Sequence, residues 1–325
     1  MKIGSAFRRG LALVLENTKI IGIIFLANIV FSLVLAVPMY SLLDANLKDA
    51  TTRDQLTESF DYSWWQELDF HNDGLLDTIR PSLSNGFGPL FDNIQLLLTG
   101  EFTSFGWFVL ALGLVYIFLS AFFNGGAIAL FSDEKRTFTI QRYFSYSGLY
   151  FNHMAALAAT AVLLYYLIYT FLNPALFLVV DSLTAPILSQ RVVWFANLII
   201  YLVILFLVIL INMIFDYAKI IVINEKKESS WVCIWLAVKF IFKNFGRTFG
   251  LYLLLAFLAG MLVVIGGALI SAIPSNTFFL LLLTLLVQMV FIAIKIGIRL
   301  SFYAAENTMY NGRMAETRQV KKRKR

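Results

Sequence analysis

The sequence predicts an all-α fold, a polytopic transmembrane bundle of six helices, and three observations carry that prediction. Hydrophobic residues make up 59% of the 325 residues and the mean hydropathy is +0.77, both far above the range of water-soluble chains. Charged residues amount to 14%, too few to cover a water-facing surface of this size. Several stretches free of Asp, Glu, Lys and Arg are long enough to cross a hydrocarbon core of about 30 Å, which takes about 20 residues of helix.

Taken in order, residues 5–16 set Arg8 and Arg9 against Phe7, Leu11, Leu13 and Leu15, the pattern of a short helix lying among headgroups and leading into the first span. That span covers residues 20–43 and ends near Pro38 and Tyr40. A cleaved signal peptide is rejected, because the apolar run is too long for a signal core and Val37-Pro38-Met39 offers no small-residue cleavage pattern. The second span covers 102–125, with Gly125 and Gly126 marking the end of the apolar rod. The third covers 154–180 and the fourth 192–215, the latter bounded by Arg191 and Asp216. Thr248 to Ile294 holds no strongly charged residue, and as a single helix it would extend roughly 70 Å, over twice the core thickness. The turn Ser271-Ala-Ile-Pro274-Ser-Asn276 divides it into spans 248–271 and 277–298.

Lysine and arginine set the orientation, since positive loops are retained inside. Between Asp44 and Glu101 eight Asp and three Glu face only Lys48, Arg53 and Arg80. With Asp181 and Arg191 the outer face carries −8, and the remaining residues carry +14. Both termini are therefore expected in the cytoplasm, in the inner membrane of a bacterium. A basic tail over 305–325, ending in Lys321-Lys-Arg-Lys-Arg325, is expected to anchor on anionic headgroups rather than nucleic acid. Membrane lipids are the expected partners.

The outer loop 44–101 is the only sizeable aqueous segment and is too small for an enzyme domain. Trp64 and Trp65, and the helical spacing of Phe87, Leu90, Phe91, Ile94 and Leu97, suggest elements resting on the outer interface. A shift of 92 residues aligns Phe123–Lys135 with Phe215–Lys227. The order of events then repeats over about 102–180 and 192–272: a span descending, a charged turn, an aromatic amphipathic segment, a span returning. The amphipathic segments, Phe138–Phe151 and Ser230–Phe245, are expected as interfacial helices, the second anchored by Trp231 and Trp235.

With its arginine-bearing amphipathic N-terminus, acidic aromatic loop, Phe123-Asn-Gly-Gly126, Tyr143-Phe144 and Asp216-Tyr-Ala-Lys219, the chain resembles bacterial six-helix integral membrane proteins of unassigned function. The resemblance covers most of the chain and implies a fold without an activity. More distantly, the chain is similar to the membrane domain preceding some bacterial glycerophosphodiester phosphodiesterases, whose catalytic domain has no counterpart in these residues.

The candidate site lies at the inner boundary: Asp216 and Lys219 on the fourth span, Lys295 and Arg299 on the sixth. Lys295 and Arg299 share a helix face and can snorkel to the headgroups. Alternatively Asp216 pairs with Lys295 or Arg299 across helices, tying the repeats together or gating a cytoplasmic entrance. Snorkelling with a structural pair is favoured, because none of the four sits at the midplane. Asn28, Asn124, Asn197 and Asn212 need interhelical partners, and Gly260, Gly266 and Gly267 permit close packing.

No metal or cofactor is expected. Cys233 stands alone, and His71 and His153 fall on opposite sides of the membrane. The run from Asp69 to Asp77 imitates a calcium loop, but His71 takes its third position and Arg80 replaces the bidentate glutamate. Without a His-Glu-x-x-His, a Gly-x-Ser-x-Gly elbow or a phosphate loop, the chain is not expected to be an enzyme. The leading function is a non-catalytic scaffold or accessory component of the membrane. The alternatives are a carrier for a lipidic or small apolar solute and a lipid-active enzyme. A cavity reaching the midplane between the repeats favours the carrier, whereas a filled core with one exposed apolar flank favours the scaffold.

Overall fold

A computed structural model describes residues 2–46, 62–64, 66, 88–100, 107–133, 138–186, 189–225, 229–274 and 277–323, and among these the regular structure is helical throughout. The chain order is α1 (Ile3–Glu16), α2 (Thr18–Asn46), α3 (Gly88–Thr99), α4 (Trp107–Ser132), α5 (Ile140–Leu167), a π turn (Ile168–Leu172), α6 (Asn173–Thr184), α7 (Gln190–Glu225), α8 (Ser230–Lys243), α9 (Phe245–Ala272) and α10 (Phe278–Arg323). Six rods are long and apolar enough to span a membrane: α2, α4, the continuous α5–α6, α7, α9 and the first part of α10. The protein is an integral, multipass membrane protein. Helices are the outcome because backbone groups in hydrocarbon have no water to bond and must satisfy one another within the segment.

Several expected boundaries move. α2 passes through Pro38 to Asn46. The third span is one rod from Ile140 to Thr184, so Phe138–Phe151 supplies its first turns instead of a separate interfacial helix. Pro174 has no N–H and its ring crowds the carbonyl of Thr170; the π turn immediately before it opens the helix there without breaking it. The second amphipathic segment does form its own helix, α8, which turns into α9 at Asn244. Asn244 Oδ1 accepts from Arg313 Nε (2.8 Å) and Nη2 (2.6 Å), pinning this corner to the far end of α10. Asn244→Ala should cost about 1.5–3 kcal/mol, the worth of a charge-assisted pair, read as a lowered unfolding midpoint in detergent micelles.

Gly125 and Gly126 do not end the second span, which runs on to Ser132. They mark a close approach of α4 to α5. A Cβ on Gly126 would stand 2.2 Å from Ser147 Oγ and 2.8 Å from the Tyr143 carbonyl oxygen. α3 is helical as expected but does not rest on the outer surface. The Tyr169 hydroxyl donates to the Leu97 carbonyl, and Asn173 Nδ2 donates to the Thr99 carbonyl (3.1 Å). Leu97 packs with Ile200, Ile204 and Val208, well inside the fourth span, so the end of α3 is inserted into the bundle.

The core is concentrated at one end. Ala6, Leu13 and Val14 of α1, Met213–Ile223 of α7, Cys233, Ala237 and Ile241 of α8, and Leu300–Tyr310 of α10 pack there. Residues 305–310 are therefore core, not tail. α1 packs on α10, where a Cβ on Gly10 would lie 2.5 Å from the Ala305 backbone nitrogen. α1 and the Leu300–Tyr310 stretch of α10 thus lie at the same, packed end of the bundle. At the opposite end the rods are sparsely packed, and none of the sixth span's most apolar window is buried.

Candidate functional site

Helical spacing assembles the site. On α7, Asn212, Asp216 and Lys219 stand four and three residues apart, and on α10 so do Lys295, Arg299, Tyr303 and Glu306, so each set occupies one face. The two helices run parallel here. An offset of 83 residues joins Arg299 to Asp216 and repeats about two turns on, where Asn224 Nδ2 donates to Asn307 Oδ1 at 2.7 Å.

Asp216 is fully buried, and its Oδ1 accepts from both Lys219 Nζ (3.0 Å) and Arg299 Nη2 (3.1 Å). The Tyr303 hydroxyl accepts from Arg299 Nη2 (3.0 Å) and Lys219 Nζ (3.4 Å), and the guanidinium carbon lies 4.7 Å from the Tyr303 ring centroid. One carboxylate therefore gathers two cations at a depth where an uncompensated charge of either sign is costly. The second cation stays available: Lys219 is nearly buried, while 38% of the Arg299 side chain is open, towards a cavity that it lines.

That cavity has a volume of about 590 Å³ and is bounded by α2, α4, α5, α7 and α10. From Ile292 to Tyr303 it follows α10 for about 16 Å. Its flank is apolar, with Ile24, Ile117, Val162 and Ile292; Lys219 and Arg299 line it beside Tyr303, and the exposed Lys295 lines it one turn from Ile292. Tyr116 and Ile292 on its lining are 41% and 44% exposed, so the cavity opens at the surface of the bundle. Ser120 and Asn124 of α4 line one side and Asn212 of α7 the other. Under the 92-residue shift Ser120 corresponds to Asn212 and Asn124 to Asp216, so equivalent helices of the two repeats face the same space. Asn124 Nδ2 donates to Ser120 Oγ (3.0 Å), and Asn212 Nδ2 to the Tyr252 hydroxyl (2.9 Å), while Asn28 lines the cavity. Asn197 Oδ1 is buried with no partner among the described residues.

Of the four ionisable residues singled out in the sequence, the structure brings Asp216, Lys219 and Arg299 together and leaves Lys295 in the cavity wall, with no ion pair or hydrogen bond to any described residue. Trp231 and Trp235 lie exposed along α8, where Lys239 Nζ sits 4.9 Å from the Trp235 ring, and Trp64 is half-buried. Trp65, His71, Arg80 and the turn from Asp69 to Asp77 lie outside the described residues. His153 Nδ1 meets Ser230 Oγ at 3.2 Å, joining α5 to α8. The sequence reasoning missed Tyr303 and Glu306, although Arg299-x-x-x-Tyr303-x-x-Glu306 is a polar stripe at helical period that no tail requires. The chain matches no protein-family model, no curated protein and no solved structure.

Proposed function

We propose that the protein takes an anionic amphiphile from the bilayer into this cavity and acts as its carrier, with the headgroup on Lys219, Lys295 and Arg299 and the tail along the apolar flank. What supports the reading is a ligand-sized space that is open at the surface of the bundle, apolar over part of its wall and lined by the cations Lys219, Lys295 and Arg299. Asp216 offsets one of the three cations, and Lys295 has no counter-ion among the described residues, so the space favours an anion. Each repeat contributes a descending helix to the cavity, the arrangement in which one half of a carrier can rock against the other. A scaffold would be better served by a filled core, and here only the packed end is filled.

The proposed role is non-catalytic: the polar lining consists of amides, hydroxyls and cations. The charge asymmetry supports a bacterial inner membrane with the packed end and both termini in the cytoplasm, which sets the cationic end near the anionic inner headgroups. Calorimetric titration in a neutral detergent tests the proposal with decyl phosphate, decyltrimethylammonium and inorganic phosphate. Saturable binding of decyl phosphate, weakened about tenfold by Lys295→Ala through loss of a charge-assisted contact, is the expected result. Equal binding of the cationic amphiphile, or no saturable heat with the anion, overturns it. Inorganic phosphate binding as tightly as decyl phosphate would replace the amphiphile with a free anion.

A further inference from the structure

Glu306 is left over from the site described above. It is 0% exposed, and neither carboxyl oxygen has a partner among the described residues. It lies on the α10 face of Arg299 and Tyr303, about 10 Å further along the axis than Arg299 and beneath the floor of the cavity. Asp216 Oδ2 and the Tyr217 hydroxyl on α7 are also buried and unpartnered among the described residues. The groups acting on Glu306 come from three helices: Asp216, Tyr217 and Lys219 of α7, Tyr252 of α9, and Arg299 of α10 itself. From α8, Phe240 packs on Tyr217 and Tyr310, and Cys233 is buried in the same core. α1 meets another face of α10, with Gly10 on Ala305 and Arg9 lining a separate cavity beside Asn307 and Asn311.

A buried carboxylate with neither cation nor donor at its oxygens is a costly state, and a bound proton removes the charge without any counter-ion. With a proton on Glu306, Asp216 alone opposes Lys219, Lys295 and Arg299, and the site carries two net positive charges towards the cavity. Without that proton the Glu306 carboxylate halves the surplus and weakens the hold on an anion. We propose that Glu306 is a proton site coupled to the anion site: the cavity holds its anion when Glu306 is protonated and releases it when the proton leaves. The inference rests on the binding function proposed above and adds an energy source to it. The step is one proton exchanged between the Glu306 carboxylate and water, and by linkage the proton and the anion raise each other's affinity by the same factor. An anion moved by this protein therefore travels with a proton.

The test is calorimetric titration of the full chain, in neutral detergent from pH 5.5 to 9, with decanesulfonate, an anionic amphiphile whose headgroup does not titrate in this range. Wild-type affinity should fall at least about tenfold as pH rises across the range, and Glu306→Gln should hold the low-pH affinity throughout. Titration of the wild type in two buffers of different ionisation enthalpy should show protons taken up with the ligand, a result independent of whether the variant folds. Saturable binding that is indifferent to pH, an unchanged pH dependence in Glu306→Gln, or zero proton uptake overturns the coupling and leaves the binding proposal standing. No saturable binding at any pH removes both.

Discussion

Replacing Asp216 with alanine is expected to destabilise the protein by about 3–5 kcal/mol, the cost of stripping one partner from a buried ionic cluster. The carboxylate serves two cations through one oxygen, so its loss leaves Lys219 and Arg299 facing each other across α7 and α10. Unfolding by heat or denaturant in detergent micelles measures the effect. Exchanging the charges, Asp216→Arg with Arg299→Asp, should recover part of the lost stability, because opposite charges again face one another at the same offset. A change below about 1 kcal/mol for Asp216→Ala, the scale of an exposed ion pair, would mean that the cluster does not hold these helices together.

Gly126→Leu should be comparably damaging, at about 3 kcal/mol, since overpacking a close interface forces backbone shifts. The obstacle includes a main-chain atom: the Tyr143 carbonyl oxygen stands 2.8 Å from the new Cβ and cannot rotate away as a side chain would. α4 and α5 must separate, and near-ultraviolet dichroism from Tyr143, Phe123 and Phe122, which cluster beside this contact, should weaken with the loss of stability. Gly260 is the control. Nothing lies within 4 Å of a Cβ there, so Gly260→Ala should be neutral or stabilise by up to about 1 kcal/mol through helix propensity.

The six spans were legible because hydrocarbon imposes a length on any apolar run, and the break between α9 and α10 was legible because polar and proline residues interrupt an impossibly long one. What failed was the inference that polar or glycine-bearing sequence must leave the bundle. Gly125-Gly126 looks the same in sequence whether it breaks a helix or lets a neighbour approach, and only the presence of Tyr143 and Ser147 opposite decides. The same holds for residues 305–313. Their polar groups suggest a tail, yet Asn307, Tyr310 and Arg313 find Asn224, Glu225 and Asn244, and the buried faces of α1, α7 and α8 cover the apolar remainder. The site was half visible for a related reason. Asp216, Lys219 and Arg299 stand out as charges beside apolar runs, whereas the cavity is empty volume, created by five helices failing to close, and no local pattern records it.

The docking of α1 on α10 has a consequence for biogenesis. During synthesis the first helix emerges long before the segment around Ala305 that covers it, so for most of translation its apolar side has no protein beneath it. An amphipathic helix in that position waits on the membrane surface, and the bundle locks only when the final helix arrives and the nascent chain's beginning is handed from lipid to protein.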